Sequence, residues 1–281
     1  MLMPRALVVG SPIDHSLSPT LHEAGYRAAG LDDWSYARAE VVADEVRAFV
    51  ARLDHDVVGL SVTMPCKEAA LAVADEASAL AGDVGAANTL VRREGGWFAD
   101  NTDVHGVVEA LRAAGCAGGR GAVVIGSGAT ARSVVAALSR LGVREVMFVV
   151  REQARPETLA LARSLGMSTR VVREDDEDAA WAVGMALLVV QTSPAGGADA
   201  LAARVVDAPS LRIGAAGGPF VLDVVYADWP TAFARTMSAR GATVVSGLDM
   251  LVHQAAAQFE LFTGHAAPIA DMMEAGRAAV K

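Results

Sequence analysis

Gly126, Ser127, Gly128, Ala129, Thr130 and Ala131 have the spacing G-x-G-x-x-A. That spacing suits a dinucleotide. The first glycine makes a tight turn, the second lets backbone amides approach a pyrophosphate, and the small sixth residue lets a helix pack on a strand. Glycine-rich turns are common, so the context decides. The motif follows the apolar run 122–125 and opens a helical pattern over 131–141. The phosphates then sit at a helix N-terminus, where N–H groups and the dipole favour negative charge. A NAD site carries an acid about 20 residues on, for the ribose 2′-hydroxyl. Here that place holds Val150 and Arg151, with Arg155 one turn later. A guanidinium suits a 2′-phosphate through charge-assisted hydrogen bonds. As plain loop cations the two arginines need no ligand, and Glu152 beside them serves a bare ribose. NADP is favoured, with NAD left open.

Three polar segments outside this unit are hard to explain as scaffold. Residues 10–19 read G-S-P-I-D-H-S-L-S-P and follow the first apolar run, 6–10. Ligands of open α/β sheets bind at such strand ends. Ser16 and Ser18 either cap the following helix or grip a carboxylate. Residues 61–68 read S-V-T-M-P-C-K-E after a β-branched run, 57–63. Lys67 there stands at a helix start, where the dipole disfavours a cation. The third segment joins Ala87, Asn88 and Thr89 to Asp100, Asn101, Thr102 and Asp103.

Together these segments resemble the shikimate dehydrogenases. The matching pieces are G-S-P-I-x-H-S-x-S-P at 10–19, V-T-M-P-x-K at 62–67, A-A-N-T-L at 86–90, D-N-T-D at 100–103, the glycine loop, and G-L-x-M-L-x-x-Q-A at 247–255. They follow the family order and span nearly the whole chain. The resemblance implies an NADP-linked reduction of 3-dehydroshikimate to shikimate, on the route to aromatic amino acids. It makes Lys67 and Asp103 the catalytic pair, and Ser16, Ser18, Thr63, Asn88, Asp103 and Gln254 substrate ligands, with Tyr226 lining the same pocket. Gly126, Ser127, Gly128, Ala129, Thr130, Arg151, Arg155, Thr192, Val224, Gly247 and Met250 fall to the cofactor. The residue types fit. Lys67 as an ammonium supplies the proton that a ketone reduction needs, and Asp103 holds and orients it. Serine, threonine, asparagine and glutamine satisfy the hydroxyls and carboxylate of a small polar ring. Two departures touch the cofactor. The family's G-G-A-x-R is Gly128-Ala129-Thr130-Ala131-Arg132, and its Asn-Arg-Thr is Val150-Arg151-Glu152. Two other readings share these motifs: an NAD-preferring quinate/shikimate or aminoshikimate dehydrogenase, and a non-catalytic NADP-binding regulator. The intact Lys67 and Asp103 argue against the second.

These residues need a scaffold of α/β class. Strand-like runs (6–10, 34–41, 57–63, 122–125, 145–150, 187–190, 221–224) alternate with helical patterns (19–29, 69–81, 104–114, 131–141, 156–165, 248–262). Residues 89–92 and 96–100 form a hairpin around Glu94 and Gly95. The expected organisation is an N-terminal α/β substrate domain and a Rossmann-type doubly wound NADP domain, with C-terminal helices returning to the first and bringing Gln254 to the substrate. The boundaries fall at 1–101 plus 241–281 and 102–240. The acidic run 174–178 reads as a solvated loop or helix start. A length of 281 residues and 53% hydrophobic residues allow a sizeable core and exclude general disorder. A net charge of -9 argues against a nucleic-acid partner. Cys66 and Cys116 lack metal-ligand spacing and read as reduced thiols, and the six histidines form no metal-like cluster, so no metal is expected. Residues 1–10 read as a strand rather than a signal peptide, and no apolar run approaches a membrane span. A cytoplasmic enzyme acting on a small molecule follows; the sequence does not speak to oligomeric state.

Overall fold

The computed structural model describes residues 3–208 and 218–280. The chain divides into two compact units, Met1–Gly106 with Leu251–Lys281, and Val107–Met250. The first unit holds β1 (Arg5–Gly10), α1 (Ser18–Ala28), β2 (Ser35–Glu40), α2 (Val46–Val50), β3 (Val57–Val62), α3 (Lys67–Val73), β4 (Glu76–Ala77), α4 (Ala79–Val84), β5 (Thr89–Arg93), β6 (Gly96–Asp100) and the start of α5 (Asp103–Ala113). The second holds β7 (Gly121–Ile125), α6 (Ala129–Arg140), β8 (Glu145–Val150), α7 (Pro156–Ser164), β9 (Ser168–Arg173), α8 (Glu177–Met185), β10 (Leu188–Gln191), α9 (Asp199–Val205), β11 (Phe220–Asp223), α10 (Ala232–Ala239), β12 (Thr243–Ser246) and the first turn of α11 (Gly247–Thr263). The rest of α11 and α12 (Ile269–Ala279) return to the first unit.

In the first unit the sheet order is β2-β1-β3-β5-β6-β4. β1 runs parallel to both β2 and β3, while β5 pairs antiparallel with β3 and with β6. Every residue of β1 after Arg5 is buried. A strand covered on both faces reads as a continuous apolar run rather than an alternating one. One face packs Leu7, Val9, Leu60, Val62, Leu90 and Trp97. The other packs Ala6, Val8, Tyr26 and Tyr36 against Phe259 and Phe262 of α11. The C-terminal return is therefore part of this core.

One expectation is corrected here. The alanine-rich stretch 69–81 is not one helix: α3 ends at Val73, β4 intervenes, and α4 starts at Ala79. The sheet edge wins over helix propensity. Asp75 N donates to Trp97 O at 2.9 Å and Ser78 N to Ala99 O at 2.9 Å, so this backbone joins β6. The Ser78 hydroxyl then caps α4 by accepting from Ala81 N at 3.0 Å.

In the second unit the sheet is parallel throughout, in the order β12-β11-β10-β7-β8-β9. Counted from β7 as the first strand, this is the 3-2-1-4-5-6 order of a doubly wound dinucleotide fold. Val123, Ile125, Val149, Val189 and Val221 of the strands pack with Ala179, Val183, Leu201 and Phe233 of the helices. β9 forms one margin, where Arg170 pairs with Asp178 at 2.5 Å and Arg173 with Asp175 at 2.6 Å. The acidic run thus splits between this pairing and the start of α8. No described helix is long and apolar enough to cross a membrane.

Candidate active site

In the first unit the strand order reverses between β1 and β3, and ligands of open sheets bind beyond strand C-termini at such a point. The two loops there are joined. Ser11 N donates to Met64 O at 3.0 Å, and Thr63 N to Val9 O at 2.9 Å. Cys66 N then turns back to Thr63 O at 2.9 Å, and α3 begins at Lys67.

Lys67 and Asp103 are the first residues of α3 and α5, 36 positions apart in the chain, and their side chains meet. Lys67 Nζ donates to Asp103 Oδ2 at 2.5 Å. Lys67 is 9% exposed and Asp103 5%. The helix dipole that disfavours Lys67 in α3 favours Asp103 in α5. A buried ion pair needs its remaining polar atoms satisfied, and Asn88 does this: its Nδ2 donates to Asp103 Oδ1 at 2.9 Å. Each carboxylate oxygen therefore has its own donor. Asn88 Nδ2 also reaches Thr102 Oγ1 at 2.9 Å and Gln254 Oε1 at 3.1 Å. Thr102 N closes the ring by donating to Asn88 Oδ1 at 2.7 Å. The motifs around Asn88, at 100–103 and around Gln254 thus meet in one buried constellation. Backbone bonds fix it: Ala87 N donates to Lys67 O at 2.9 Å, and Val62 N to Asn88 O at 2.7 Å.

Ser16, on the loop after β1, and Ser18, the first residue of α1, are both buried. The N-cap of α1 is Leu17, without a side-chain cap. Ser16 Oγ accepts from Ser18 N and donates to Ser18 Oγ, both at 3.3 Å. Contacts this long leave both hydroxyls capacity for a ligand. The loop is pinned by Arg38 of β2, whose Nη2 donates to Ser16 O at 2.6 Å and whose Nε donates to it at 3.2 Å. Sequence reasoning passed over Arg38. Its partner is a backbone carbonyl 22 positions away, which leaves no local pattern.

In the second unit Gly126 has φ +99, and a β-carbon there would lie 2.6 Å from Thr192 Oγ1. Only glycine fits. Thr192 in turn donates its hydroxyl to Ile125 O at 2.7 Å. Gly128 is the N-cap of α6 and makes no side-chain cap. The orphan amides of the first turn are then open to an anion. Residues 126–130 are all half-buried. The turn after β8 is tied to this loop: Arg155 N donates to Ser127 Oγ at 3.1 Å, and Thr158 Oγ1 to Ser127 O at 2.7 Å. Thr158, fully buried, is a second residue the sequence reading missed. Arg151 is exposed and Arg155 stands at the N-cap of α7, with Arg151 Nη2 lying beside Gly197 of the turn after β10. A glycine turn at a helix N-terminus, with two arginines on the neighbouring turn after β8, fits a phosphorylated dinucleotide. Val224, Gly247 and Met250 lie further along the same unit. A β-carbon on Gly247 would lie 2.2 Å from Val224 O, so these two backbones touch. The loop after β11 is held by Asp223, whose Oδ2 accepts from Thr231 Oγ1 at 2.6 Å and whose Oδ1 accepts from Val225 N at 3.1 Å. Burial raises the pKa of this carboxyl above its usual range. Tyr226 follows on that loop, in the second unit.

A doubly wound sheet that opens a helix behind a glycine turn is the architecture of dinucleotide-binding domains such as those of dinucleotide-dependent oxidoreductases, and the first unit holds a buried lysine–aspartate pair. The family model described as the shikimate dehydrogenase substrate binding domain matches residues 8–90, and the one described as the shikimate 5′-dehydrogenase C-terminal domain matches residues 247–275. The chain is 35% identical over 272 residues to the shikimate dehydrogenase (NADP(+)) of Thermosynechococcus vestitus, covering 95% of this chain and 93% of that protein. The crystal structure of Mycobacterium tuberculosis shikimate dehydrogenase is similar at a TM-score of 0.86 and 43% identity, covering 98% of this chain and 99% of that one. The Thermus thermophilus shikimate 5-dehydrogenase in complex with NADP(H) and shikimate is similar at a TM-score of 0.82 and 33% identity, covering 99% of this chain and 100% of that one. This chain belongs to the shikimate dehydrogenase family.

Proposed function

We propose that this protein reversibly reduces 3-dehydroshikimate to shikimate with NADPH, using Lys67 as the proton donor and Asp103 as its partner. The observation that carries the reading is the buried contact of Lys67 Nζ with Asp103 Oδ2 at 2.5 Å, with Asn88 on the other carboxylate oxygen. The first unit takes the substrate and the second the dinucleotide. NADPH, when bound, supplies the hydride. The chain's residues do the rest. Lys67 donates a proton to the oxygen that becomes the new hydroxyl, and takes it back in the oxidation direction. Asp103 holds the lysine where that proton is needed. Ser16, Ser18, Thr63, Asn88 and Gln254 supply donors and acceptors for a ring bearing hydroxyls and a carboxylate. A substrate lacking those hydroxyls would leave buried polar groups unpaired, which selects against it.

The amides of residues 128–130 cradle the pyrophosphate, and Arg151 and Arg155 take the 2′-phosphate. Gly247, Met250, Val224 and Thr192 complete the dinucleotide site. A reducing compartment such as the cytoplasm suits the two buried free thiols, Cys66 and Cys116.

The test compares turnover of 3-dehydroshikimate with NADPH and with NADH, in the wild type and in Lys67→Ala. NADPH should be preferred. The variant should lose turnover by at least about 10²-fold while still binding NADPH. A wild type preferring NADH would sink the cofactor assignment, and a variant turning over normally would remove Lys67 from the chemistry.

A further inference from the structure

Asn88 can hold Asp103 only if its amide points the right way, with Nδ2 toward the carboxylate. An amide is nearly symmetric in shape, so its neighbours must set its direction. On one side Thr102 N, which can only donate, gives its hydrogen to Oδ1 at 2.7 Å; on the other a chain of buried hydrogen bonds, each member with one consistent polarity, enforces the same direction. Tyr36 OH donates to Ser61 Oγ at 2.5 Å, and Ser61 Oγ donates to Gln258 Oε1 at 2.6 Å. With its oxygen taken, Gln258 presents its nitrogen, and Nε2 donates to Thr89 Oγ1 at 3.0 Å and to Asn88 O at 2.9 Å. The Thr89 oxygen, now accepting, gives its hydrogen to Asn88 Oδ1 at 2.8 Å. That fixes Oδ1 on the Thr89 side and leaves Nδ2 for Asp103 Oδ1 at 2.9 Å. Burial pushes the Tyr36 hydroxyl above its ordinary pKa, so it remains a donor.

Gln258 lies one helical turn beyond Gln254 on α11, is 1% exposed, and touches neither Lys67 nor Asp103 through any of these bonds. Its amide satisfies the buried Ser61 hydroxyl, the Thr89 hydroxyl and the Asn88 carbonyl, and so ties α11 to the segment that carries Asn88. We infer that Gln258 is a positioning residue for the Lys67 and Asp103 pair, acting through Thr89 and Asn88 by holding, together with Thr102 N, the Asn88 amide in the direction that serves Asp103. The catalytic part of this inference rests on the function proposed above; the geometric part does not.

Two readouts test it. The first is the side-chain amide signal of Asn88 in ¹⁵N-labelled protein, assigned by its loss in Asn88→Ala. It should move in Gln258→Met and also in Thr89→Val, which removes the relaying hydroxyl at nearly constant shape. The second is kcat with saturating 3-dehydroshikimate and NADPH. Gln258→Met should lower it about tenfold, and should lower it less than about twofold further when Asn88 is already alanine. Should Gln258→Met not fold, Thr89→Val carries both measurements. An Asn88 signal unmoved by either change overturns the inference, and so do kcat losses that simply multiply in the double variant. A wild type without turnover but with a moved Asn88 signal sinks the proposed function and supports the positioning.

Discussion

Cys66 precedes Lys67 in the sequence, and a thiol beside an ammonium would ordinarily suggest a nucleophile. Its surroundings remove that role. It is fully buried, its Sγ donates to Val41 O at 3.1 Å, and burial, with Glu45 adding to it, pushes the thiol up to about 11. The thiolate is the reactive form. In native protein at neutral pH, iodoacetamide should therefore leave Cys66 unlabelled, with labelling only after denaturation; mass spectrometry of the intact chain checks this, and rapid native modification at Cys66 would contradict it. The neighbouring Lys67 shows the limit of local reasoning. Its place at a helix start looked unfavourable because only the dipole of its own helix was visible. The compensating Asp103 begins another helix, 36 positions away. The glycine turn was legible because its backbone chemistry needs particular residue types, whereas Lys67 and Asp103 were singled out as a pair only by the family resemblance of the short loop motifs. Arg38, Thr158 and Gln258 were not, because they act on backbone or on other side chains and any polar residue of similar reach would read the same.

Strands and helices were legible where burial was complete. β8 over Glu145–Val150 and the apolar parts of β1, β3 and β7 stand out as β-branched runs. The edge strand β9, S-T-R-V-V-R, has four of its six residues exposed and lacks such a run. α8 and α9 are short and alanine-rich, and β12 is only four residues long, so neither period emerges from the sequence. Packing between elements was less visible still. On β3, a β-carbon at Gly59 would lie 2.2 Å from Phe262 Cδ1, so α11 sits directly on the strand. Gly59→Ala should force the ring aside and cost about 1–3 kcal/mol. Urea unfolding measures this. A variant as stable as the wild type would mean that the ring shifts without penalty.

His22 of α1 affects the stability of the folded chain as a whole. It is fully buried, stacked on Tyr36 with ring centroids 4.3 Å apart, and burial pushes its pKa from 6.5 to about 3, which Gln258 offsets only in part. Between those values the unfolded chain binds one more proton than the folded one. Stability is therefore intact above about pH 6.5 and is lost as pH falls toward 3, by about 1.4 kcal/mol per pH unit. Urea unfolding of the wild type and of His22→Leu between about pH 7 and about pH 4.5 would separate this proton from the carboxylates; the variant should show a shallower decline, and parallel curves would exonerate His22. The margin at β9 has a different consequence. Val171 is exposed on it and Trp181 on α8 beside it, and an open strand there offers unpaired backbone to any neighbouring chain. Arg170 and Arg173, tied to Asp178 and Asp175, stand along that strand. A second molecule adding its own strand would first have to displace those charges from each other and from water, so the ion pairs act as a guard against fibre formation in concentrated solution.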